Sequence, residues 1–176
     1  MTTLTAIIDD DAHGLRGLLD TIAELHVHRQ LRAGDPTARH MGGRTAIRDH
    51  EIFDDHAWIN TKSSWPRRDG TTGFSPVNWT TARNPAHPEK QLDLVALVQL
   101  QATFGHEGPL DLTIEWDGRW WLVPASLLCA ASKPDGSSCA RSLVPTAAID
   151  PYIVTAPLTA ARLHELVAEN EILMPS

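Results

Sequence analysis

The sequence predicts an α+β fold: an antiparallel sheet centred on a three-stranded meander at about 92–123, packed by an N-terminal helix (about 12–33) and a C-terminal helix (about 157–170). Three observations predict it. From Leu92 to Phe104 every even position is apolar (Leu92, Leu94, Ala96, Val98, Leu100, Ala102, Phe104), a period of two that marks a strand with one buried face. The alternation resumes at Leu110, Leu112, Ile114 and Trp116, and Asp117-Gly118, a dipeptide suited to a two-residue hairpin turn, returns the chain through Arg119 to Val123. At each end of the chain, leucines recur at helical spacing instead.

The turn lengths set a register. Asp117-Gly118 places Ile114 opposite Trp121 and Leu112 opposite Val123, while the break at Gly105 to Pro109 places Phe104 opposite Leu110 and Leu100 opposite Ile114. Trp121 is then expected on the face of Ile114 and Leu100. Trp120 is expected on the other, among Gln99, Gln101 and Glu115, under the C-terminal helix or lining a small-ligand cleft. Val95 and Leu97 break the pattern. A helical reading of 92–104 fails because Asp93, Gln99, Gln101 and Thr103 scatter around the wheel.

Taken in order, the chain opens on a short apolar stretch and Asp9-Asp10-Asp11, a cap-like cluster that suits the positive end of a helix. Leu15, Leu18, Leu19, Ile22 and Leu25 form the expected inward stripe of the first helix, and Gly34-Asp35-Pro36 stops it. Met41-Gly42-Gly43 reads as a turn, and 45–58 as a short helix with Ile47, Ile52 and Phe53 inward. Residues 61–87 hold no sustained period and are punctuated by Pro66, Gly70, Gly73, Pro76 and Pro85, so short strands or a functional arm are expected there. After the meander, 124–131 fits either a helical turn or a strand. Short extended pieces are expected at 142–144 and 152–154. Leu158, Leu163, Leu166 and Val167 give the closing helix its apolar side.

At 176 residues the chain suits one domain, 1–176, with an ordinary 42% hydrophobic and 21% charged composition. No apolar run is long enough for a membrane span, and no basic-then-apolar start marks export, so a cytoplasmic place is expected, or a virion if phage-encoded. Arginine outnumbers lysine twelve to three, the coding bias of a GC-rich bacterial or phage genome. Cys129 and Cys139 are then expected as reduced thiols. Charge is uneven: residues 1–59 carry a net −4, 60–90 a net +3 and 91–176 a net −6, the −7 of the whole. A general nucleic-acid binder would be basic, so nucleic acid is not the expected partner.

Two constellations carry candidate chemistry. In 49–56, read as a helix, His50 and Asp54 lie one turn apart, and with His56 they could chelate a divalent metal while Glu51 serves as base of a hydrolase. Asp54 stands where a helical zinc protease has its second histidine, and without a ligand these residues make a solvated polar face. His26 and His28, two apart, diverge by about 200° on a helix. No serine elbow, phosphate loop or Cys-x-x-Cys spacing accompanies them. The second constellation is the arm, where Trp65, Arg67, Arg68, Trp79 and Arg83 have the composition of a protein-binding hot spot. The expectation is a non-enzymatic interaction or assembly protein, meeting a protein partner or its own copies through that arm and needing no cofactor. A metal-dependent hydrolase at His50–His56 and a ligand cleft at Trp120 are the alternatives.

Overall fold

The computed structural model describes residues 12–41, 48–54, 56–64, 74, 92–100, 102–108, 111–116, 119–131 and 149–172. Helix α1 (Ala12–Gly34) is followed by the short strands β1 (Arg39–His40) and β2 (His50–Ile52), then β3 (Ala57–Ser64), β4 (Leu94–Gln99), β5 (Ala102–Gly108), β6 (Asp111–Trp116) and β7 (Trp120–Pro124). Helix α2 (Ala125–Ala131), a 3₁₀ turn (Asp150–Tyr152) and helix α3 (Ala160–Ile172) complete it. The class is α+β, with a helix from each end on a five-stranded sheet ordered β1-β2-β3-β4-β7. Among the described residues no helix is long and apolar enough to cross a membrane.

The sheet is mixed rather than wholly antiparallel, because β3 and β4 run parallel, Ile59 opposite Leu94 through Ser64 opposite Gln99. The expected meander is also divided. The period-two run of 92–104 breaks at Leu100 into β4 and β5, and β7 returns to β4, not to β6, pairing Leu97 with Trp121 and Val98 with Trp120. Strands β5 and β6 form a separate ribbon, with Ala102 opposite Trp116 and Phe104 opposite Ile114, so the register expected from the turn lengths does not hold.

The physical reason lies in the positions that broke the pattern. The sheet is covered on both sides, so the central strands are apolar at odd and even positions alike. Leu94, Ala96, Val98, Trp120 and Leu122 pack under Ala23, Val27 and Leu31 of α1 and Leu163 and Leu166 of α3. Val95, Leu97, Trp121 and Val123 form a second core with Phe74, Leu128 and Ile149. Trp121 therefore shares a face with Leu97 and not with Leu100. Trp120, 4% exposed, lies in the helix-covered core and meets the edge of the His26 ring at 5.8 Å.

Helix α1 buries Ala23, Val27 and Leu31, four residues apart, while Leu25, expected inward, is 48% exposed. A Cβ on Gly34 would stand 2.8 Å from Leu163 Cδ1, so glycine there allows the end of α1 to cross the start of α3. Thr159 caps α3, its Oγ1 accepting the Arg162 N–H at 3.2 Å.

The helix expected at 45–58 is instead the hairpin of β2 and β3. Ile52 and Ala57 pair across it, and Phe53 and Asp54 take positive φ (56° and 53°), which no α-helix tolerates. Asp35 holds this turn, its Oδ2 accepting the Phe53 N–H at 2.6 Å while Oδ1 accepts Thr37 N–H and Oγ1 at 2.9 and 2.7 Å. The Phe53 ring stacks on His164 of α3, centroids 4.0 Å apart. Residues 61–64, the start of the expected arm, belong to β3.

Candidate functional site

A polar seam runs between α1 and the β1–β2–β3 side of the sheet, inside an otherwise apolar contact. Asp20, Glu24 and His28 are spaced four apart and so line one flank of α1. His40 and His50 are direct cross-strand partners, which puts them on one face of adjacent strands. Thr61 lies two residues beyond Ile59, the β3 partner of His50, and its Oγ1 is 3.0 Å from His50 Nε2. Glu24 Oε2 is 3.0 Å from His40 Nε2, and Ser63 Oγ donates to Asp20 Oδ1.

These elements bring three imidazoles together. The ring centroids are 5.2 Å apart for His40 and His50, 5.8 Å for His28 and His40, and 5.9 Å for His28 and His50. His50 is fully buried, and its Nδ1, like the buried Nδ1 of His28, has no hydrogen-bond partner. Burial, then the nearby His40 and His28, lowers the His50 pKa to about 3. Burial also lowers His28, with His40 and Arg32 acting the same way. These two rings are therefore held neutral near pH 7, the form in which imidazole binds metal. As the side chains stand, no three His, Cys, Asp or Glu among the described residues are arranged to hold a metal ion.

Carboxylates border the rings. Asp49 is buried, and its Oδ2 accepts Asn60 Nδ2 at 2.9 Å and the Thr61 N–H at 2.6 Å, just beyond the His50–Ile59 pair where the β2–β3 pairing stops. Burial raises its pKa to about 7, against the bond from Thr61 and with help from the charge of Glu24. Burial likewise lowers Lys62, outweighing Asp49, Asp20 and Glu24 around it.

Of the residues singled out in the sequence, His50 belongs to this seam, but Asp54 and His56 are exposed on the hairpin turn, so those three are not brought together. Glu51 alternates to the other side of β2. Trp65, Arg67, Arg68, Trp79 and Arg83 lie outside the described residues. His26 and His28 diverge as a helix requires, one toward Trp120 and the other toward His40 and His50. Glu24, His40 and Asp49 were not legible as site residues. The one sequence signal for them was the four-residue spacing of Asp20, Glu24 and His28 beside a hairpin pairing two histidines.

In comparisons with known proteins, no family model matches the chain, and no curated protein and no solved structure matches it.

Proposed function

We propose that the protein binds a divalent transition-metal ion between α1, β1 and β2, through His28, His40 and His50. The observation that carries this reading is the convergence of three imidazoles from three elements, two of them with a buried, partnerless Nδ1. A buried polar atom without a partner costs about 1–3 kcal/mol, so two such nitrogens side by side are expensive unless something joins them. A zinc-like ion about 2.1 Å from each nitrogen, at tetrahedral angles, sets imidazole centroids roughly 5 Å apart. The observed 5.2–5.9 Å lies within tenths of an ångström of that spacing.

The far nitrogens support the same reading. Nε2 of His40 faces Glu24 and Nε2 of His50 faces Thr61, the outer partners that fix a ligating ring. An all-imidazole set suits zinc, copper, nickel or cobalt better than magnesium or calcium. The test is binding of Zn²⁺ to the chelator-stripped full chain, followed by calorimetry and by thermal midpoint. One equivalent is expected, raising stability by about 2.7 kcal/mol at a hundredfold excess over Kd, and lost in His28→Ala/His50→Ala. Equal binding by wild type and variant refutes the site.

A second reading, assembly with a protein partner or a second copy, is favoured by the β5–β6 ribbon. Among the described strands it pairs only with itself, and an isolated two-stranded ribbon is marginal in water. The arm that first suggested assembly lies outside the described residues and adds nothing to it. Sedimentation of the full chain tests it, and a monomer at all concentrations, with no co-purifying chain, counts against it.

A further inference from the structure

Resting on the second reading, that of assembly, we infer that the β5–β6 ribbon is an arm through which two copies of this chain meet, stacked face to face as a four-stranded sandwich. The ribbon is a separate sheet, yet it carries on the hairpin of β4 and β7 without a change of register. Val98 faces Trp120, and four residues further along each strand Ala102 faces Trp116, followed by Phe104 with Ile114 and His106 with Leu112. The neighbouring strand β3 stops short of this continuation, its last pair being Ser64 with Gln99. Among the described strands none flanks the ribbon, whose seven-residue β5 is roughly 23 Å long.

The same pairs sort the ribbon by face, because cross-strand partners and alternate positions lie on one side. Ala102, Phe104, Leu112, Ile114 and Trp116 share one face with His106, while Thr103, Gly105, Thr113 and Glu115 share the other. Two strands cannot bury such a face by themselves. A second copy supplies a face of the same length and width across a two-fold axis, the self-complementary contact of most homodimers. The area agrees: at about 150–250 Å² for each aromatic ring and roughly 100 Å² for each aliphatic chain, two such faces remove on the order of 1,200 Å² from water, the low end for a specific interface. Charge selects this face over the others. Residues 99–118 hold Glu107, Asp111, Glu115 and Asp117 with no lysine or arginine, so ribbons meeting through their polar faces would oppose carboxylates.

The experiment is sedimentation of the full chain over a range of concentrations, with peptide-level hydrogen exchange at the two extremes. The expected result is a reversible monomer–dimer equilibrium in which exchange of 102–116 slows as concentration rises. Ile114→Lys should raise the dimer dissociation constant about 100-fold or more, since a symmetric contact loses that side chain twice, while Thr113→Lys on the opposite face should leave it unchanged. Exchange is read on the wild type, so it decides the matter where Ile114→Lys fails to fold. A dimer that both variants form equally well, or one whose formation does not slow exchange of 102–116, overturns the ribbon face and leaves assembly standing. A different chain co-purifying in place of the second copy does the same. A chain that stays monomeric at every concentration, with nothing co-purifying, overturns both.

Discussion

Replacing Asp35 by alanine should unsettle the fold far more than an ordinary loop substitution. The residue is 5% exposed and its carboxylate takes three hydrogen bonds. Two come from Thr37, which is exposed and can turn to water when the carboxylate is gone. The third, from the half-buried Phe53 N–H, is the one that ties the hairpin turn to the end of α1, and hydrogen bonds to charged groups are worth about 1.5–3 kcal/mol each. That bond also holds Phe53 at φ 56°, a left-handed conformation that costs an L-residue roughly 1–2 kcal/mol. The strain is already carried by the wild-type fold and does not add to the loss, so the Phe53 bond sets the expected cost of Asp35→Ala at about 1.5–3 kcal/mol, with Asp35→Asn well below that because one carbonyl oxygen survives. Denaturant unfolding with an unchanged m-value is the assay. Burial works to raise the Asp35 pKa, but the bonds from Phe53 and Thr37 prevail and hold it below 3.8. Its contribution is therefore present above that pH and is lost as pH falls through the folded value, so the gap between wild type and Asp35→Ala should close only in stronger acid. A loss under about 0.5 kcal/mol, the range of inconsequential surface changes, would show that Asp35 does not hold the turn.

Leu97 is fully buried on the sheet face away from α1, and Leu97→Ala should cost about 2–5 kcal/mol by thermal or chemical unfolding, whereas Leu25→Ala, on the exposed side of α1, should fall within about 0.5 kcal/mol; equal costs would contradict the two-sided sheet. Asp49, with its pKa raised to about 7, binds a proton more readily folded than unfolded, so it lowers stability as pH climbs from 3.8 to 7. Asp49→Asn keeps an acceptor for Thr61 and should gain on wild type across that window, in metal-free protein, as measured by unfolding at pH 5 and pH 8; a difference independent of pH would refute the raised value.

The terminal helices were legible because amphipathic spacing is local: Leu163 and Leu166 are buried where their period places them. The strands were legible as strands and not as partners. Val95 and Leu97 were read as flaws in a one-faced strand, yet they signal a sheet covered twice, and that depends on segments far away in sequence. Leu25 was placed inward by spacing alone, although the stripe used is Ala23, Val27 and Leu31, set by where Gly34 lets α1 cross α3. His50 was picked out beside Asp54 and His56 because a helix was assumed for that stretch. A strand turned it toward His40, ten positions earlier, and no periodicity connects residues whose neighbourhood is made by a hairpin.

The parallel pairing of β3 with β4 has a kinetic consequence. Parallel neighbours cannot be joined by a tight turn, and here 29 residues, from Trp65 to Asp93, separate the end of one strand from the start of the other. Closing that loop must precede any reward from the six register pairs it creates, so docking of β4 on β3 is a natural late step, slower than zipping of the β2–β3 hairpin. The same arithmetic makes the connection forgiving once the fold is made. Doubling its length would add only about 0.6 kcal/mol of closure entropy, so length is a weak lever here, whereas Phe74 within the segment is a fixed point, fully buried against Trp121 in the second core.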